Sequence, residues 1–267
     1  MNNKSRIYIA GHTGMVGSAL QKRMLLDGFK NITTITRNKL NLLDQKKTRD
    51  FIEEVKPEIV ILLAGKVGGI LANSNNPIDF LYENIQMQHN LLFAARKFKV
   101  NRFIFLGSSC IYPKETKTPI TEDKLLTGKL EKTNEAYALA KISGIKMSEY
   151  LFHKDNLDVI CLMPTNIYGL NDNFDKFSSH VIPGMITKFI EAKKNNKSKV
   201  ELLGTGNPFR EFLFNDDLAE AIYFLLKSSK SKILRASGNK FPIFNVGSGE
   251  NISIRKLSFL IKNFVNF

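Results

Sequence analysis

The chain has 267 residues, 43% hydrophobic and 24% charged, with a formal net charge of +14, a composition close to that of ordinary globular domains. No apolar run reaches the roughly 18 residues a membrane span needs, and the opening MNNKSRIYIAG is too sparsely apolar for a signal peptide. Two cysteines without an export signal predict the cytoplasm and no disulfide. Lysines gather only mildly, at 191–199 and 227–240, with no interleaved aromatics. The charge therefore reads as solvated surface and as attraction for an anionic small molecule, with no nucleic-acid or membrane partner expected.

In chain order, five apolar runs predict strands: 6–10 (RIYIA), 32–36 (ITTIT), 59–64 (IVILLA), 102–107 (RFIFLG) and 159–164 (VICLMP). Several are apolar throughout, as strands buried on both faces of a parallel sheet are. Helical stretches over 15–28, 44–55, 80–97 and 134–153 separate them, with Asp44 as a cap. Alternation of this kind predicts an α/β fold, a doubly wound parallel sheet of Rossmann type with a smaller C-terminal substrate-binding lobe. After Gly169 the rhythm loosens. A polar loop over 171–180 leads to a helix over 180–194 with Pro183 in its first turn, then short strands near 200–204 and 243–246, and a last helix over 252–267 capped by Ser253. The expected division is a dinucleotide-binding domain over 1–168 and a substrate lobe over 169–267, the latter too interrupted to fold alone.

GHTGMVG, residues 11–17, joins the first strand to the first helix. Gly11, Gly14 and Gly17 suit a tight turn, close approach of backbone to a pyrophosphate and close helix packing, with His12, Thr13, Met15 and Val16 completing the loop. The helix N-terminus then offers free N–H groups to phosphates. At the end of the second strand stands Arg37, where a carboxylate would bind a ribose hydroxyl. A guanidinium there suits a 2′-phosphate, favouring NADP(H) over NAD, against the alternative of an ordinary surface arginine.

EAYALAK places Tyr137 and Lys141 one helical turn apart. An ammonium beside a phenol is expected to lower its pKa and fit it for proton exchange with a carbonyl oxygen during hydride transfer. Ser108, at the mouth of the fourth strand, can hydrogen-bond the same oxygen. These residues, in this order, resemble the extended short-chain dehydrogenase/reductase superfamily. Within it, GHTGMVGSAL, KVGGI (66–70), GSSCIYP (107–113), PTNIYG (164–169), DNF (172–174), SHVIP (179–183) and REF (210–212) resemble the GDP-L-fucose synthase family.

The resemblance implies 3,5-epimerisation of GDP-4-keto-6-deoxy-D-mannose followed by reduction at C4 with NADPH, a sister enzyme on a related GDP-4-keto sugar being the alternative. A non-catalytic dinucleotide-binding protein would not need the tyrosine–lysine pair. By itself Cys110 reads as a small buried filler and His180 as a loop or helix-cap histidine. By motif position they match the family's acid–base pair, Cys110 as base and His180 as acid, thiol and imidazole having ordinary pKa values of about 8.5 and 6.5. Matching also places Ala64, Asn84, Pro164, Asn166, Ile167 and His180 along the coenzyme. Lys188 and Arg210 fall against the GDP part of the substrate. Relatives imply a homodimer built through the helices over 80–97 and 134–153, and no metal site. Leu203 stands where the family commonly has tryptophan, Phe214 and Asn215 where it has His-Val. Family members are expected to continue for several dozen residues past the position of Phe267.

Overall fold

The structure, a computed structural model, describes residues 2–267. Its main sheet collects strands from most of the chain. In order along the chain come β1 (Ile7–Ala10), α1 (Met15–Leu26), β2 (Ile32–Thr33), α2 (Gln45–Val55), β3 (Ile59–Leu62), α3 (Ile70–Asn75), α4 (Pro77–Lys97), β4 (Arg102–Leu106), α5 (Glu135–Asp155) and β5 (Asp158–Pro164). Then follow β6 (Asn166–Tyr168), α6 (Val181–Lys194), β7 (Phe209–Phe214), α7 (Asn215–Lys227), α8 (Lys230–Ala236), β8 (Ile243–Val246), β9 (Asn251–Ser253) and α9 (Ile254–Val265). No helix among the described residues is long and apolar enough to cross a membrane.

Six parallel strands lie in the order β2-β1-β3-β4-β5-β8. Alternate side chains of each apolar run serve opposite faces. Tyr8, Val60, Phe103, Phe105, Val159 and Cys161 pack in one core with α2, α4 and α5. Ile7, Ile9, Ile61, Ile104 and Ile160 pack in the other with α1, α7 and α8. Each such buried side chain contributes about 1.5–3 kcal/mol, and two covered faces explain why the strands read as unbroken apolar runs.

The expected caps form. Asp44 accepts from the Lys47 N–H at 2.9 Å and Ser253 from the Lys256 N–H at 3.2 Å, each satisfying an orphan donor of its helix.

Residues 169–267 do not stay together. α7, α8 and β8 return to the main sheet, Ile233 of α8 being buried with Leu218 and Ile222 of α7. What lies over the strand ends is a small sheet, β6-β7-β9, and a core of Met185 and Phe189 from α6 against Leu257 and Ile261 from α9. The strand expected near 200–204 is instead an irregular connection, and β7 forms beyond it. The 227–240 basic stretch contains α8, whose lysines face water while Ile233 faces the core.

Candidate active site

Sheet order reverses between β1 and β3, and the chains leaving their C-terminal ends diverge there, as dinucleotide clefts require. A cleft of about 740 Å³ opens at this point. The Leu63 N–H donates to the Ala10 carbonyl at 2.9 Å, holding the two strand ends side by side. Gly11 has φ +92°, and a Cβ on it would sit 2.6 Å from the Ala64 nitrogen. A Cβ on Gly17 would collide with the Gly11 carbonyl oxygen. Only glycine fits at both positions for reasons internal to the protein. Gly14 differs: a Cβ there would meet only the Gly11 oxygen, at an ordinary 3.5 Å. Its bare backbone keeps the N-terminus of α1 open to the cleft, as close approach by a pyrophosphate needs. The Nδ1 of His12, in a residue of the same loop, is enclosed without a hydrogen-bond partner among the described residues. These features fit a dinucleotide.

Of the residues expected from the sequence, Gly11, His12, Thr13, Gly14, Met15, Val16, Gly17, Arg37, Ala64, Ser108, Cys110, Tyr137, Lys141, Pro164, Asn166, Ile167, His180 and Arg210 all border this one cleft. Arg37 lies at its outer end, its guanidinium 3.2 Å from Glu83. Asn84 and Lys188 do not border it. The Asn84 carboxamide is buried and accepts from the Lys66 N–H at 2.9 Å while donating to the carbonyls of Lys66 and Phe80. It holds the loop after β3 from behind. The Lys188 ammonium turns to the Glu201 carbonyl, 3.3 Å away.

Ser108, two residues past β4, caps a short 3-10 turn over Ser109–Ile111, its Oγ accepting from the Cys110 N–H at 3.4 Å. That turn brings the thiol to the cleft wall beneath Tyr137 and Lys141 of α5. Lys141 is buried and donates to the Leu106 carbonyl at 2.9 Å, with its ammonium 5.7 Å from the Tyr137 ring centre. Burial lowers the lysine's pKa to about 8, partly opposed by Cys110 and Cys161.

Two expectations change. Burial, and then the neighbouring Cys110, push the Tyr137 phenol up rather than down, because the ring is enclosed. The cleft therefore holds a neutral phenol. Burial likewise pushes the Cys110 thiol up to about 11, against the opposing pull of Ser108 and Lys141. An exposed thiol's ordinary value does not apply here. Cys161 is fully buried in the sheet.

His180 is the N-cap residue of α6. It reaches the cleft because the loop before it is clamped to the loop after β3. The Gly69 N–H donates to the Ser178 carbonyl at 3.1 Å, and a Cβ on Gly69 would collide with the Ser179 carbonyl oxygen. Gly69 of KVGGI is thus needed for this close approach. Several cleft residues escaped the sequence reading: Lys66, Asn73, Lys114, Glu131 and Asn134. Asn134 immediately precedes α5, and its Oδ1 is enclosed without a partner among the described residues. Lys114 pairs with Glu131 at 2.9 Å. Their signal was position: a lysine just beyond GSSCIYP and an asparagine at a helix start. Leu203 is 73% exposed and outside the cleft. Asn215 is buried and donates to the carbonyls of Met15 and Leu170, tying α1 to the loop after β6.

The profile of the NAD dependent epimerase/dehydratase family matches residues 7–247. The chain belongs to this family. It is 46% identical over 268 residues to GDP-L-fucose synthase 1 of Arabidopsis thaliana, covering 100% of this chain and 80% of that protein. It is 43% identical over 265 residues to GDP-L-fucose synthase of Escherichia coli K12, covering 99% and 83%. Among solved structures, a GDP-L-fucose synthetase from Naegleria fowleri bound to NADP superposes with a TM-score of 0.88 at 27% identity, covering 100% of this chain and 79% of that one.

Proposed function

We propose that this enzyme converts GDP-4-keto-6-deoxy-D-mannose to GDP-L-fucose, epimerising C3 and C5 and then reducing C4, with NADP(H) as coenzyme. The observation that carries the reading is one cleft lined by a dinucleotide loop, a Ser–Tyr–Lys set and, in addition, Cys110 and His180. Simple reduction needs neither of the last two.

The C4 carbonyl acidifies the protons on C3 and C5. Cys110, as thiolate, takes such a proton; the C–H electron pair becomes an enolate whose charge rests on the C4 oxygen, where Ser108 donates a hydrogen bond. His180 returns a proton to carbon from the opposite side, which inverts the centre. Lys141 and Ser108 stabilise the thiolate, since both pull the thiol's pKa down. The loop over 11–17, with Arg37 at the outer end of the cleft, would hold the dinucleotide, which when bound would supply the hydride for reduction at C4. Tyr137 then donates its phenolic proton to the C4 oxygen, which is why a neutral phenol in the resting cleft suits this direction of reaction. Lys141, anchored on Leu106 and lining the cleft, would help hold the coenzyme when bound, and it replenishes that proton. Arg210 on β7 pairs with the substrate's phosphates.

The protein is a cytoplasmic homodimer in this reading, a free catalytic thiol requiring a reducing compartment. Exposed Tyr82 and Phe93 on α4, with Leu139 and Tyr150 on α5, support packing of these two helices against their copies. Sedimentation of the purified chain tests it, and a monomer at micromolar concentration rejects it. For the reaction, the protein is mixed with NADPH and the keto sugar in deuterated water. Deuterium at C3 and C5 of GDP-L-fucose, with NADPH consumed, is expected. Reduction without exchange would remove Cys110 and His180 from catalysis.

A further inference from the structure

Asp172, in the loop before α6, does not border the cleft. Its side chain is only 4% exposed and lies behind His180, with 3.8 Å between its Oδ1 and the ring Nδ1. Oδ1 accepts from the adjacent Asn173 N–H at 2.7 Å. Oδ2 is enclosed without a hydrogen-bond partner among the described residues, and so is His180 Nδ1. Two enclosed, complementary, unsatisfied atoms on neighbouring side chains are costly apart and complementary together. Nε2 is not among the enclosed atoms, which leaves it as the accessible nitrogen of a ring that borders the cleft. The loop itself is braced: Asn173 donates to Ser178 Oγ at 2.8 Å, while Asp175 accepts from the Phe177 N–H, the Ser178 N–H and the Ser178 hydroxyl. With the backbone held, a turn of the imidazole about its Cβ–Cγ bond is the motion that closes the gap.

We propose that Asp172 is a positioning residue for His180, accepting its Nδ1–H and thereby fixing Nε2 as the atom that exchanges protons with the substrate. This rests on His180 being the acid of the epimerisation. The imidazolium gives its Nε2 proton to the enolate carbon; the enolate pair forms the new C–H bond, and the N–H pair stays on Nε2. What remains is neutral imidazole carrying its proton on Nδ1. Without Asp172 that tautomer would leave a donor buried with nothing to accept it. With Asp172 it is satisfied, and Nε2 is free to be reprotonated from water.

The test reads the ring nitrogens directly. The chain has four histidines, so full-length protein labelled with 15N-histidine gives few long-range 1H–15N patterns, and His180→Gln assigns the one that matters. In the unaltered protein, the neutral His180 ring is expected as the Nδ1–H tautomer. In Asp172→Ala it is expected to revert to Nε2–H, with kcat for deuterium exchange at carbon falling roughly 10–100-fold while NADPH binding and KM for the sugar hold. An Nε2–H tautomer in the unaltered chain overturns the proposal, and that arm needs no variant to fold. So does an Nδ1–H tautomer that persists in Asp172→Ala. Absence of carbon exchange in the unaltered enzyme would instead overturn the proposed reaction, leaving the tautomer measurement to judge Asp172 separately.

Discussion

The Lys141 ammonium donates to the Leu106 carbonyl across 2.9 Å, at the last residue of β4. Being buried, it has a folded-state pKa near 8 against an ordinary 10.5. Between those values the unfolded chain binds a proton that the folded chain does not, so this group makes stability rise with pH across that window. Below about pH 8 the folded protein carries the full cost of a buried charge. Lys141→Met removes both the cost and its pH dependence. From pH 7.5 to 10.5 the unaltered protein is therefore expected to gain up to roughly 3 kcal/mol relative to the variant. Urea unfolding of the pair at the two pH values measures it, and a constant difference would place the ammonium in solvent. Reduction should fall by two orders of magnitude or more in the variant, about 3 kcal/mol in the barrier.

Cys110 behaves as a guarded thiol. With its pKa pushed up to about 11 by burial, its thiolate fraction at pH 7.5 is roughly three-hundredfold below that of an ordinary cysteine of pKa about 8.5. Alkylation by iodoacetamide in the coenzyme-free protein should be slower by that factor and rise about tenfold per pH unit up to pH 9.5. Ser108→Ala should slow it further, because Ser108 is the largest influence drawing the thiol down. Cys161, fully enclosed, should not react until the chain unfolds. Rapid labelling of Cys110 at neutral pH would show that water solvates the thiolate.

Much of this architecture was legible because it depends on local, strong signals. Strands buried on both faces announce themselves as apolar runs, and the turn after β1 must be glycine for steric reasons visible at Gly11 and Gly17. That Ser108, Tyr137 and Lys141 share one cleft was legible from residue type and order, and that Cys110 and His180 join them only from their place in family motifs. The small sheet was not. β6 and β9 have three residues each, too few to show alternation, and β7 is paired to β9 from 40 residues away. α8 was hidden because one buried side chain, Ile233, organises an otherwise basic surface stretch. Electrostatics was the least legible, since the shifts on Cys110, Tyr137 and Lys141 come from enclosure, which no spacing reveals.

Gly69 links two loops that must meet for epimerisation. Its φ of −66° is available to any residue, so the need for glycine is contact with Ser179 rather than backbone strain. Gly69→Ala should push Ser179, and with it His180, away from the cleft, at a stability cost of about 1–3 kcal/mol. Carbon-proton exchange should fall at least tenfold, as small misplacements of reacting groups do. Coenzyme binding, which rests mainly on the loop over 11–17, should fall much less. Isotope exchange and NADPH titration on the same sample separate the two, and equal losses in both would mean general unfolding.

Arg37 decides the coenzyme if its guanidinium meets the 2′-phosphate. Its side chain is 69% exposed and leans on Glu83, which is also held by Lys66 at 2.6 Å, while Lys66 reaches Asp79 at 3.1 Å. The carboxylates thus hold two cations at the outer end of the cleft without burying either. An exposed ion pair of this kind contributes little to stability, so Arg37→Ala should leave the unfolding midpoint in place. A charge-assisted contact to phosphate is worth about 1.5–3 kcal/mol. KM for NADPH should therefore rise roughly 10–150-fold in the variant, while KM for NADH stays put. Glu83→Gln should move NADPH the other way, by releasing the guanidinium from its competitor. Parallel loss of both coenzymes in Arg37→Ala would assign the arginine to the shape of the cleft instead of to the phosphate.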